Sequence, residues 1–206
     1  VSSPDARKKS ADPQAAFDQH IKLAMQYIGS KSRDLARVHL QKAERFESSA
    51  NKSQLHNGYA LLYQMEQEIE LAEQHYRKAI SSNKKDSMVR YNFAAFLYNQ
   101  GRFQAALEQM QLVTEDLGYE RRTQAFYILG LAQRKTGQSA EALKSFARAS
   151  QLTPGFAPPY LEAAEIYFAQ QKLPIAKRAL EQYEYLAPAN AKSLWLAVRL
   201  EHSFGN

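Results

Sequence analysis

The chain has no cysteine in its 206 residues. Disulfides, thiolate nucleophiles and cysteine-based metal sites are therefore excluded, and cysteine usage says nothing of the redox compartment. Proline and glycine are scarce, at seven and eight residues, and fall mainly between segments of helical periodicity. The longest apolar run, Ala125–Ala132, is far shorter than the roughly 20 residues a membrane-spanning helix needs. No signal-peptide pattern precedes it, and a chain beginning at Val1 reads as a processed or trimmed form. Charge of one sign is also modest: 27 basic against 21 acidic residues give +6. Lys and Arg are scattered among Glu and Gln. No basic cluster alternates with aromatic residues, so nucleic-acid binding is not expected. The densest basic runs are Arg7-Lys8-Lys9 and Lys84-Lys85. The first lies in a polar tail and leaves contact with a membrane surface open.

Catalytic signatures are lacking too. There is no G-x-G-x-x-G, phosphate loop, G-x-S-x-G or H-E-x-x-H. Ser49 and Lys52 match S-x-x-K without the companion motifs that make that spacing meaningful. The histidines are His20, His39, His56, His75 and His202. No two are three or four apart, so no single helix carries a metal pair, and they read as surface or packing residues. Acidic pairs such as Glu66/Glu70 and Glu181/Glu184 read as solvated helix faces. No enzyme, cofactor, metal or small-molecule substrate is expected.

What the sequence does contain is a repeat. From Ala125 to Pro154 it spells two short amphipathic segments joined by a turn at Lys135–Ser139. Leu129, Gly130, Gly137, Ala142, Phe146, Ala149 and Pro154 match the roughly 34-residue tetratricopeptide (TPR) pattern. Gly130 is expected to permit close approach of the two helices, and Gly137 to free the turn backbone. Pro154 stops the second helix. The central alanine recurs as Ala36, Ala72, Ala106, Ala142 and Ala176, in steps of 36, 34, 36 and 34 residues. The large position recurs as Leu40, Tyr76, Met110, Phe146 and Leu180. The second small position recurs as Ala43, Ala79, Val113 and Ala149, then fails at Tyr183.

These spacings predict an all-α TPR superhelical solenoid of about five helix-turn-helix repeats with a C-terminal capping helix. Residues 1–12 read as a flexible linker and 13–206 as one solenoid domain. The repeats fall at 13–50, 52–84, 87–118, 121–154 and 156–188, with the cap at 190–204. Asp12-Pro13 is a helix start, and Pro158-Pro159 and Pro174 open later helices. Pro188 closes the fifth repeat. Repeat 1 is expected to have a longer turn at Gly29–Ser32 and no clear small residue in helix A. The repeat 2 turn, Glu66–Glu68, has lost its glycine. The last helix is expected to be amphipathic through Leu194, Trp195, Val198 and Leu200.

The inward face of such an array is its usual binding surface. Here that face is expected to carry Asn57, Leu61, Gln64 and Met65 in repeat 2, and Tyr91 and Tyr98 in repeat 3. Tyr127, Leu131, Arg134 and Lys135 follow in repeat 4, with Leu161, Glu165 and Phe168 in repeat 5. Ile21 and Met25 are the repeat 1 candidates. Aromatic and aliphatic side chains in a concavity suit an amphipathic helix or an extended peptide. Arrays that clamp an acidic C-terminal tail use Lys and Asn where this chain has Asn57/Leu61, Tyr91/Ala95 and Tyr127/Leu131, so that partner is not expected.

Several segments go beyond the generic repeat: Arg33–Ala43, Ala72–Ala79, Asn92–Ala106, Gly118–Leu131 and Asn190–Leu200. Through them the chain, from about Phe17 to Phe204, resembles the type IV pilus biogenesis and stability lipoproteins of the PilF/PilW family. The connector before repeat 4 and the last helix carry the resemblance best, because ordinary TPR arrays need neither. The resemblance implies a non-enzymatic pilotin on the periplasmic face of the bacterial outer membrane. Its partner would be the secretin subunit, which it helps to localise and multimerise. The resemblance also implies an N-terminal lipid, whose cysteine this sequence lacks, with Val1–Asp12 as its tether. The N-terminal repeats, with Ile21, Met25, Leu61 and Met65, are the implied secretin-docking region. The alternative is a generic TPR scaffold with an unrelated protein or peptide partner.

Overall fold

The computed structural model describes residues 12–205. The expected linker therefore lies almost wholly outside the described residues. Asp12 is its one described member, and its carboxylate accepts the Gln14 N–H at 3.0 Å to cap the first helix ahead of Pro13. Among the described residues there are eleven helices and no strand. They are α1 (Pro13–Gly29), α2 (Arg33–Glu44), α3 (Lys52–Met65), α4 (Ile69–Ser82), α5 (Ser87–Asn99), α6 (Phe103–Glu115), α7 (Arg122–Lys135), α8 (Ser139–Leu152), α9 (Pro158–Ala169), α10 (Leu173–Leu186) and α11 (Ala191–Ser203). The chain forms two compact units, Val1–Val89 and Arg90–Asn206.

Five turns of three residues join α1–α2, α3–α4, α5–α6, α7–α8 and α9–α10. In each, the middle residue is left-handed: Lys31 (φ 59°), Gln67 (64°), Gly101 (74°), Gly137 (80°) and Gln171 (60°). The next residue donates its N–H five residues back, as in Ser32 N to Tyr27 O at 2.8 Å and Gln138 N to Gln133 O at 2.8 Å. This is the Schellman closure, which satisfies carbonyls that the helix end leaves open. The longer turn expected in repeat 1 is thus not found. Gly29 ends α1 in helical conformation, and Lys31 takes the position that glycine holds in repeats 3 and 4. The glycine lost at that position in repeat 2, where Gln67 stands, costs strain rather than topology, because the closure is made by the backbone.

Repeat 1 also has its small helix A residue. Ala24 lies 12 positions before Ala36 and is fully buried, as Ala60 is before Ala72. In the second unit Ala94, Gly130 and Ala164 stand in the same relation to Ala106, Ala142 and Ala176. Leu23-Ala24 is thus the large-small pair of repeat 1, in the register of Tyr59-Ala60 and Leu129-Gly130. The first unit's core gathers Phe17, Leu40, Leu55 and Leu62 around these alanines. In the second unit, successive clusters centre on Leu107, Met110 and Leu129, on Phe146 and Ile166, and on Leu180, Leu196 and Leu200.

Tyr183 breaks the small-residue rule for a local reason. Its ring is buried against α11, and its hydroxyl accepts from Asn190 Nδ2 at 2.8 Å. Asn190 opens α11 through a reciprocal capping box with the buried Ser193. The buried stripe of α11 differs from the one expected. Leu196 and Leu200 are buried, whereas Leu194, Trp195 and Val198 are 55%, 60% and 67% exposed. The helix turns its shorter apolar stripe onto α9 and α10, so the bulkier one faces outward.

Candidate functional site

The expected binding residues fall into two groups. In the first unit Ile21, Met25, Leu61 and Met65 are half-buried on α1 and α3. Ile21 and Met65 pack at the edge of the unit's core. Gln64 accepts the Tyr76 hydroxyl at 2.9 Å, which ties α3 to α4. Asn57 is buried. Beside this face, Arg37 Nη2 donates to both carboxylate oxygens of Glu66, at 2.8 and 2.6 Å. The Glu66 hydrogen bond outweighs burial and holds the Arg37 guanidinium above its ordinary value. Ile21, Met25, Leu61 and Met65 are thus the apolar members with surface left to offer.

In the second unit the expected residues separate further. Tyr91 is buried beneath the connector: the Arg121 guanidinium stacks 4.5 Å from its ring and donates to its hydroxyl at 3.2 Å, and Tyr119 flanks it at 5.9 Å. The connector therefore fills this position from within the chain. Phe168 is covered by Arg199, which lies 4.4 Å from both the Phe168 and Trp195 rings. Tyr127 stands edge-on to Phe156 at 5.5 Å and tilts onto Phe146 at 5.9 Å. Burial pushes its phenol pKa up, with Glu162 adding to the effect.

Tyr98 and Leu131 do share a concavity. It holds about 550 Å³ and is lined also by Arg134, Lys135, Glu162, Glu165 and Lys192. Glu162 is only 7% exposed. Its Oε2 accepts from Arg134 Nη1 at 2.5 Å and its Oε1 from Lys192 Nζ at 2.6 Å. Glu165 binds the same two cations at 2.7 and 3.1 Å. Burial opposes both cations. The Glu165 and Glu162 carboxylates offset it for Arg134, as Glu162 does first for Lys192, and both pKa values end above their ordinary range. Burial also raises the Tyr98 phenol. Both carboxylates are saturated by cations, which suits a rigid polar floor better than proton transfer. Lys135 is the cation on this wall outside the four-membered network; its ammonium lies 5.7 Å over the Phe103 ring.

Sequence reasoning missed Glu162 and Lys192. Glu162 lies one turn before Glu165 on α9, and Lys192 reaches it from α11, 30 residues on. A repeat template carries no position for a residue of the terminal helix. It missed a second relation as well. His20 and His39 bring their Nδ1 atoms to 3.1 Å across α1 and α2, and His56 and His75 do the same at 3.1 Å across α3 and α4. Each pair is 19 residues apart, a separation a search along one helix cannot see. The 36-residue step from His20 to His56, and from His39 to His75, was the available signal. Among the described residues no group of three or more His, Asp or Glu converges as a metal site.

The tetratricopeptide repeat family profile matches residues 123–156. The type IV pilus assembly protein PilF of Pseudomonas aeruginosa is 29% identical over 189 residues, covering 92% of this chain and 74% of the relative. An uncharacterized protein of Haemophilus influenzae is 30% identical over 117 residues, covering 57% of this chain and 64% of the relative. The solved structure of Pseudomonas aeruginosa PilF superposes with a TM-score of 0.85 at 27% identity, over 94% of this chain and 86% of that one. PilW, described as a widely conserved type IV pilus biogenesis factor, shares the fold with a TM-score of 0.79 at 20% identity, over 92% and 86% of the two chains. The chain is thus an all-α tetratricopeptide-repeat protein, homologous to the type IV pilus assembly protein PilF.

Proposed function

We propose that this chain is a non-enzymatic protein-interaction factor of type IV pilus biogenesis. It acts as a pilotin, helping the secretin reach the outer membrane and multimerise. The observation that carries this reading is the similarity to PilF along 92% of the chain. Two structural features support a binding role. In the first unit Leu61 and Met65, beside Ile21 and Met25, keep apolar surface available. In the second, Tyr98 and Leu131 flank a pre-built charged floor. Rigid elements that present half-exposed apolar anchors beside satisfied polar groups suit the capture of a protein segment. None of the described helices is long and apolar enough to cross a membrane, so this reading places the envelope anchor in an N-terminal lipid.

The test is a pull-down with the purified chain from a detergent extract of the bacterial envelope, read by mass spectrometry. Retention of the secretin, lost in a Leu61→Ala/Met65→Ala variant that keeps its helical content, is the expected result. Retention of other proteins with no secretin overturns the pilotin reading.

A further inference from the structure

We propose that the paired histidines of the first unit, His20/His39 and His56/His75, are two equivalent sites for a borderline divalent metal ion such as Zn²⁺. Each pair bridges the two helices of one hairpin, and the second reproduces the first one repeat on. The geometry suits chelation. With N–metal bonds of about 2.0–2.1 Å, two nitrogens 3.1 Å apart subtend about 95–102° at the ion. That angle lies between the octahedral and tetrahedral values. The four imidazoles are all half-buried, so solvent reaches each pair and can complete the coordination shell.

Two nitrogens facing at hydrogen-bond distance hold one proton between them in the neutral pair. On metal binding that proton leaves Nδ1 and the ring carries its proton on Nε2 instead, so the pair stays neutral. Neutral imidazole is the ligand form, and nitrogen donors select zinc, nickel and copper over magnesium and calcium. Burial already favours the neutral ring at His39, His56 and His75. The charges around the second pair nearly cancel: Glu44 and Glu47 face His56 against Lys52 and Lys78. Tyr59 and Tyr63 flank His75 with ring centroids at 5.3 Å and hold its plane.

Isothermal titration of the tag-free chain with ZnCl₂ at neutral pH tests this. Two zinc ions per chain are expected, falling to one in His75→Asn and to none in His39→Asn/His75→Asn. Asparagine keeps a hydrogen-bonding group near the Nδ1 position but is a poor zinc ligand, and circular dichroism verifies that the hairpins persist. His202→Gln, outside both pairs, is expected to leave the stoichiometry at two. Absence of saturable heat in the wild type, or an unchanged stoichiometry in the double variant, overturns the proposal. A secretin pull-down, positive or negative, has no bearing on this result.

Discussion

A Cβ placed on Gly130 would lie 2.5 Å from Cε1 and 2.7 Å from Cδ1 of Phe146. The Phe146 ring is fully buried against Ala142 and Ile166, so it has nowhere to retreat. The glycine in α7 exists to accommodate the ring in α8.

Gly130→Ala is therefore expected to destabilise the fold. Overpacking costs about 1–3 kcal/mol, against which alanine recovers about 1 kcal/mol of helix propensity. Gly58 offers a contrast: its added Cβ would crowd a single terminal methyl, Leu40 Cδ2 at 2.6 Å, rather than the edge of a rigid ring. Thermal melts are expected to rank Gly130→Ala clearly below Gly58→Ala. Equal melting temperatures would contradict the ring-glycine account.

The left-handed turn residues make a second comparison. A non-glycine residue in this conformation costs about 1–2 kcal/mol, and glycine loses about 0.5–1 kcal/mol to chain entropy. Gln67→Gly and Gln171→Gly, at φ 64° and 60°, are each expected to stabilise by up to about 1 kcal/mol. Gly137→Ala, at φ 80°, is expected to destabilise by a similar amount. Urea titrations measure all three.

Glu162 joins three helices through Arg134 and Lys192. Glu162→Gln leaves those cations with Glu165 alone. Because Arg134 and Lys192 are a third or more exposed, water softens the loss. The expected cost is about 1–3 kcal/mol, the scale of charge-assisted hydrogen bonds. A Lys192→Met variant measured beside it, with the double variant, gives the coupling. A coupling near zero would mean that the network is merely superficial.

The histidine pairs predict a pH dependence. Burial, followed by the His56 and Lys78 charges, lowers His75 from 6.5 to about 4. The folded ring stays neutral where the unfolded ring binds a proton. Stability from this group is therefore present above pH 6.5 and is lost as pH falls from 6.5 towards 4. Melting temperature is expected to drop across that window in metal-free buffer, and to drop less in His75→Asn. An identical slope in the variant would exclude His75 as the source.

Much of the fold was legible because small residues recur at a period one helical hairpin long. Ala36, Ala72, Ala106, Ala142 and Ala176 are all fully buried, as their spacing required. A helix pair cannot close around a larger side chain there. The irregular copies were harder to read. Lys31 and Gln67 adopt a glycine's conformation without being glycine, because backbone hydrogen bonds impose it. The stripe that α11 buries was misread for another reason: either apolar side of that helix could have faced inward, and only the packing of Leu196 and Leu200 against α9 and α10 selects one.

The site divides along the same line. Periodicity brought out Tyr98 and Leu131, since both occupy repeated helix A positions. It could not reveal that Arg121 covers Tyr91, that Arg199 covers Phe168, or that Lys192 completes the floor beneath Glu162. The sequence by itself determined the hairpin, its period and its alanine seams, because these follow from local helical geometry repeated along the chain. The tertiary structure alone decided which long cations fold over which aromatic rings and which histidines meet across a hairpin. Those contacts join side chains from different helices, and helical periodicity within one segment does not report which side chains of two helices meet.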